Sequence, residues 1–262
     1  MVRRLIDISV PLQVGVASDP PHSVPKIQYM DHHATAPIVA NYFDISVDQL
    51  PQGEYAAAER CDLSTHNGTH LDAPYHYFSS MNHELKDGGE PSMRIDEVPL
   101  DWCLQPAVKL DFRHFEDGYV VKLEDVEREL KRIGHCLRPL EIVVVNTRAG
   151  SRYGEDDYMD AGCGMGKDAT LWLLRQGIRL VGTDGWSWDA PFSHTKRRIK
   201  EGGSVDLIWE GHRAGREIGY CHLEKLHNLE VLPAEGFSIA CFPVKVHRAS
   251  AGWTRAVAIL DD

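Results

Sequence analysis

A chain of 262 residues, 43% apolar and 26% charged, can bury a proper core and has the composition of an ordinary globular protein. Its formal net charge of -11 speaks against nucleic acid, whose phosphates need a basic face, and no stretch approaches the roughly 18 uninterrupted apolar residues of a membrane span. The six cysteines form no C-x-x-C pair and no disulfide-like spacing, so they read as reduced thiols of a cytoplasmic protein, expected to form one domain over 1–262.

In chain order, "MVRRLIDISVPL" alternates apolar and polar residues as a half-buried strand does. Asp7 breaks its apolar run and no small-residue cleavage site follows, so no export signal is expected. The proline-rich "ASDPPHSVPKIQYMDHHATAP" predicts a long surface loop. "AVKLDF" and "EIVVVNTR" predict buried strands, and between them Leu123, Val126, Leu130 and Ile133 fall at helical spacing ahead of a glycine stop. The unit repeats as a helix in "KDATLWLLRQG" and a strand in "IRLVGTDG". The basic run "HTKRRIKEGG" predicts a solvated face, and late strands are expected in "EIGYCHLEKL", "GFSIACFPVKV" and "TRAVAIL". These elements imply an α/β protein with a mixed β-sheet core and flanking helices.

The chemistry concentrates in "STHNGTHLDAPYHYF", which begins at Ser64. His66, His70, Asp72 and His76 share parity, so an extended chain would turn all four to one face. A straight strand would nevertheless hold His66 and Asp72 about 20 Å apart at ~3.3 Å per residue, so the chain must bend. Asn67-Gly68, which favours positive φ, is where it can. Imidazoles with a carboxylate suit zinc, manganese or ferrous iron, and three protein ligands leave positions open for water and substrate.

"HNGTHLDAPYH" fills every fixed position of H-x-G-T-H-x-D-x-P-x-H and so resembles the cyclase family of metal-dependent hydrolases, which includes kynurenine formamidases and isatin hydrolases. "LIDISVPL", "GIRLVGTDGWSWD" and "WTRAVAIL" resemble that family's opening strand, its glycine and aspartate turn and its closing strand, although the tryptophans of the turn depart from the form expected of kynurenine formamidases. The resemblance implies the swivelling β/β/α fold and one or two divalent ions, zinc or manganese. His66, His70 and Asp72 would hold one ion; His212 and Glu224 would complete the site or hold a second; His76 would be the acid/base group. It also implies a homodimer or homotetramer.

Trp186 and Trp188 are either stacking groups for a planar substrate or core residues beside a turn. The activity implied is opening of a small cyclic amide, lactone or formamide by a metal-activated water. Two rivals stand beside it. One is a cysteine nucleophile, Cys221 beside His222 or Cys163, although strand neighbours face opposite ways; the other is a non-enzymatic metal-binding protein, although its closed site would be expected to use thiolates.

Overall fold

The computed structural model describes residues 3–261 and divides into two compact units. The smaller holds Gln13–Gly15 and Pro20–Ser64, and the larger holds the rest. In the smaller unit, Lys26–Met30 pairs antiparallel with Ala58–Asp62, and helix α1 spans His32–Tyr42. The loop expected across residues 17–37 is therefore replaced in part by a strand and a helix. Its prolines mislead because Asp31 caps α1, accepting from the backbone N–H groups of His33 (3.1 Å) and Ala34 (2.8 Å), while Pro37 is tolerated inside the helix.

The larger unit is built on a nine-stranded mixed sheet. Its strands are β1 (Arg3–Asp7), β2 (His70–Asp72), β3 (Leu104–Asp111), β4 (Ile142–Asn146), β5 (Leu180–Thr183), β6 (Cys221–Glu224), β7 (Phe237–Ala240), β8 (Ala251–Trp253) and β9 (Val257–Asp261). The spatial order is β1-β9-β7-β3-β4-β5-β6-β2-β8. β3 to β6 run parallel and every other pairing is antiparallel. Alternation divides the central strands between two cores: Val143, Val145 and Val181 enter one, Ile142, Val144 and Leu180 the other.

The remaining helices are α2 (Pro74–Tyr77), α3 (Leu123–Ile133), α4 (Lys167–Arg175), α5 (Phe192–Lys200) and α6 (Glu210–Glu217). The expected strand-helix-strand units appear as β3-α3-β4 and as α4 leading into β5. α3 stops at Gly134, whose φ of 73° closes the last turn where a side chain would be strained. α6 packs on α4 and on α2, which brings a C-terminal helix beside the histidine-rich stretch.

Candidate metal centre

β2 lies between β6 and β8, and its pairing with β6 sets Asp72 opposite His222, Leu71 opposite Leu223 and His70 opposite Glu224. Alternate residues share a face, so the two leucines enter the apolar core while two histidines and two carboxylates project together from the other side. The bend expected at Asn67-Gly68 is present. Gly68 has φ 59°, and a Cβ there would lie 2.8 Å from Leu12 Cδ2. The turn brings His66 Nδ1 to 2.9 Å from Asp72 Oδ1. Beyond β2, Pro74 opens the single turn α2, from which His76 Nε2 reaches 3.9 Å from Asp72 Oδ2. α6 supplies His212, whose Nε2 is 3.9 Å from Glu224 Oε1.

Among these groups, His70, Asp72, His212, His222 and Glu224 are buried, while His66 and His76 keep 29% and 21% of their side chains exposed and mark the open side. Burial opposes ionisation of Asp72, but the charges of His76, His66 and His70 and a hydrogen bond with His222 hold its carboxyl well below the usual range. Burial likewise opposes ionisation of Glu224, yet its hydrogen bond with His222 leads the effects that bring it down to about 2. The pair is anionic. His222 is pushed up to about 9, because its hydrogen bonds to Asp72 and Glu224 outweigh burial. In His76 burial wins and lowers the pKa to about 4.

Three histidines have their outer nitrogens anchored. His70 Nδ1 lies 2.9 Å from the Gly68 carbonyl oxygen, His66 Nε2 lies 3.2 Å from Ser250 Oγ, and His212 Nδ1 is hydrogen-bonded to Asp189. Such contacts fix ring orientation in metal-ligating histidines. The inner nitrogen of His70 is buried and has no hydrogen-bond partner, although it faces Asp72 Oδ1 at 3.4 Å and Glu224 Oε2 at 3.5 Å. A buried imidazole nitrogen aimed between two carboxylates fits a divalent cation with mixed nitrogen and oxygen ligands. Ligand atoms of Asp72, His212, His222 and Glu224 lie within 4.8 Å of one another, as do those of His66, Asp72 and His76.

The structure thus brings His66, His70, Asp72, His76, His212 and Glu224 together. It separates the two tryptophans. Trp188 has no exposed surface, gives its indole N–H to Thr170 Oγ1 (3.0 Å) and its backbone N–H to Glu224 Oε1 (3.1 Å), so it is a core residue that steadies a carboxylate and offers no face to a substrate. Trp186 is half-buried and packs edge-on against Phe192 at 5.4 Å. The indole beside the cluster belongs to Trp209, stacked on His212 at 4.5 Å between ring centres and 5.2 Å from His76. Sequence reasoning missed Trp209, Asp189 and His222. The last had a local signal, since "HLE" at 222–224 has the form of "HLD" at 70–72. Cys163 and Cys221 are buried, and burial pushes both thiols above their ordinary range, which suits packing and disfavours a nucleophile.

The "Cyclase" family model matches residues 6–190, a span that includes the whole histidine-rich stretch. The chain belongs to the cyclase family of metal-dependent hydrolases. This cyclase-family chain is 24% identical over 210 residues to the kynurenine formamidase of Erythrobacter litoralis, covering 80% of each chain. It is 28% identical over 199 residues to the kynurenine formamidase of Salinibacter ruber, covering 74% of this chain and 76% of that one. A crystal structure of an isatin hydrolase bound to the product analogue thioisatinate superposes with a TM-score of 0.76 at 18% identity, over 99% of this chain and 93% of the other. That likeness bears out the expected fold of the cyclase family. The family match stops before His212, His222 and Glu224, so their part in the site rests on the geometry.

Proposed function

We propose that the cluster binds one or two divalent ions, zinc or manganese, and that the protein hydrolyses the C–N or C–O bond of a small cyclic amide, lactone or formamide. The observation that carries this reading is the convergence of imidazole nitrogens on two buried, ionised carboxylates, with His66 and His76 on the open side. Relatives named kynurenine formamidase and isatin hydrolase support the amide class. His66, His70, Asp72, His212 and Glu224 would hold the metal. When bound, such an ion polarises an acyl carbonyl and lowers the pKa of water toward 7.

The protein's own part is proton traffic and positioning. His76 keeps part of its ring exposed at the open side of the cluster, and burial that lowers its pKa to about 4 leaves it neutral at pH 7. It can therefore accept a proton from the attacking water and return it to the departing amine or alkoxide. Phe192, Trp209 and Trp186 line up as an aromatic rim beside His76 and can hold a planar substrate.

The same reading takes the partner to be a small molecule and places the protein in the cytoplasm, consistent with six free cysteines; no helix among the described residues is long and apolar enough to cross a membrane. It also takes the chain as a homodimer or homotetramer. Ile38, Tyr42, Phe43 and Tyr55 of the smaller unit stay exposed and offer apolar surface for self-association, which light scattering on the purified protein checks.

The deciding experiment is hydrolysis of isatin, N-formylkynurenine and dienelactones by wild type and His76→Ala, with metal measured in both. Loss of nearly all turnover with metal retained is expected. Unchanged turnover would remove His76 from the chemistry, and absence of both metal and turnover in the wild type would sink the proposal.

A further inference from the structure

β2 and β6 carry nearly the same triplet in opposite directions. His70-Leu71-Asp72 runs against His222-Leu223-Glu224, and the register places each histidine across from the other strand's carboxylate with the leucines paired between them. The arrangement is an approximate two-fold about the leucine pair. Its consequence lies in the oxygens. His70 Nε2 faces Asp72 Oδ1 (3.4 Å) and Glu224 Oε2 (3.5 Å), whereas His222 Nε2 faces the other oxygen of each, Asp72 Oδ2 (3.0 Å) and Glu224 Oε1 (3.1 Å). Each carboxylate turns one oxygen to each histidine.

We infer that His222 is a metal ligand, related to a second cation as His70 is to the first, an inference resting on the metal-binding reading above. His70 would hold the first ion with Asp72 Oδ1 and Glu224 Oε2, and His66 reaches the same Asp72 oxygen. His222 and His212 share the second with Asp72 Oδ2 and Glu224 Oε1. Both donor sets are nitrogen and carboxylate oxygen without thiolate, so both take the same class of ion.

The two centres are nevertheless unequal. His66 and His70 have their far nitrogens held by Ser250 and Gly68. The far nitrogen of His222 is buried, has no hydrogen-bond partner, and lies among the rings of Tyr77 and Trp188, which stack on the imidazole at 5.0 and 6.3 Å. Losing an outer partner of a ligating histidine typically weakens metal binding by about 10–100-fold. The centre containing His222 is therefore the weaker and exchanges its ion first.

The test is titration of cobalt(II) into chelator-stripped protein, followed by visible absorption and by elemental analysis after gel filtration. Wild type should take up two equivalents with constants about 10–100-fold apart. His222→Gln should lose the weak phase and keep the tight one, and His70→Gln the reverse. Two unchanged phases in His222→Gln would overturn the assignment of His222 and leave the metal reading standing. A single equivalent in wild type that His222→Gln does not alter would also overturn it, and no uptake at all would defeat the metal reading itself. Should the variant not fold, ¹⁵N-histidine spectra of the zinc-loaded wild type decide. The imidazole in contact with both the Trp188 and Tyr220 rings should show a metal-bound Nε2; an unligated one would overturn the inference.

Discussion

Asp189→Asn tests how the site holds one of its histidines. Asp189 Oδ1 accepts the backbone N–H of Gly211 (2.7 Å), and Oδ2 accepts that of His212 (3.1 Å) and the His212 imidazole. The first two bonds cap α6, whose own N-cap residue, Trp209, sits at φ 55° and offers no side-chain cap. Loss of a cap costs about 1 kcal/mol. The third bond orients the ring: a carboxylate only accepts, so His212 Nδ1 carries a proton and Nε2 is turned toward Glu224. An amide of the same shape cannot accept from all three donors, and either the cap or the ring orientation is lost. For a ligating histidine the penalty in metal affinity is typically 10–100-fold, about 1.4–2.7 kcal/mol. Chelator competition should show that weakening, and calorimetry of the stripped variant should show Tm lowered by about 2–4 °C for a cap worth about 1 kcal/mol. A folded variant with unchanged affinity would show that His212 is not a ligand, and an unchanged Tm would refute the capping argument.

Lys225→Met should destabilise by about 3–5 kcal/mol in urea unfolding, because it strands the buried Asp19 carboxylate and the His66 carbonyl oxygen, both of which take hydrogen bonds from Lys225 Nζ. A loss below about 1 kcal/mol would show that Asp19 is otherwise satisfied. Burial lowers the pKa of His135, but hydrogen bonds to Glu141 and Glu235 raise it above 6.5 on balance. Its contribution to stability is therefore complete below about pH 6.5 and lost as pH rises through the folded pKa, so the difference in Tm between wild type and His135→Gln should shrink from pH 6 to pH 9. A difference that grows instead would reverse the sign. Trp209→Leu should raise KM for aromatic more than for aliphatic substrates, measured across the same hydrolysis panel; equal effects on both would remove the rim from specificity.

Periodicity foretold α3, α4 and the buried central strands because those segments satisfy their own local rules: apolar spacing, a glycine stop, and runs of valine between turns. The shared parity of His66, His70, Asp72 and His76, with a bend at Gly68, was legible for the same reason. α1 was hidden by prolines on either side of Asp31, whose capping role appears only once the helix exists. In the sequence His222 stands out only as the neighbour of Cys221. Its meeting with Asp72 depends on antiparallel pairing between residues 150 apart, which no local pattern encodes. Trp188 was equally ambiguous, since burial decides its part and two tryptophans near a turn predict either outcome.

The placement of β2 has a consequence for how the protein is made. Among the described residues this three-residue strand pairs with β6 and β8 alone, and both are contributed by residues beyond 220. A ribosome has released most of the chain before either partner exists, so the histidine-rich stretch emerges early and waits as an unpaired segment. Its insertion pairs Asp72 with His222 and with Ala251, closing long-range loops of the kind that slow folding. His66, His70, Asp72 and His76 come from one side of that closure, and His212, His222 and Glu224 from the other. The cluster is thus complete only once the last strand but one has settled against β2.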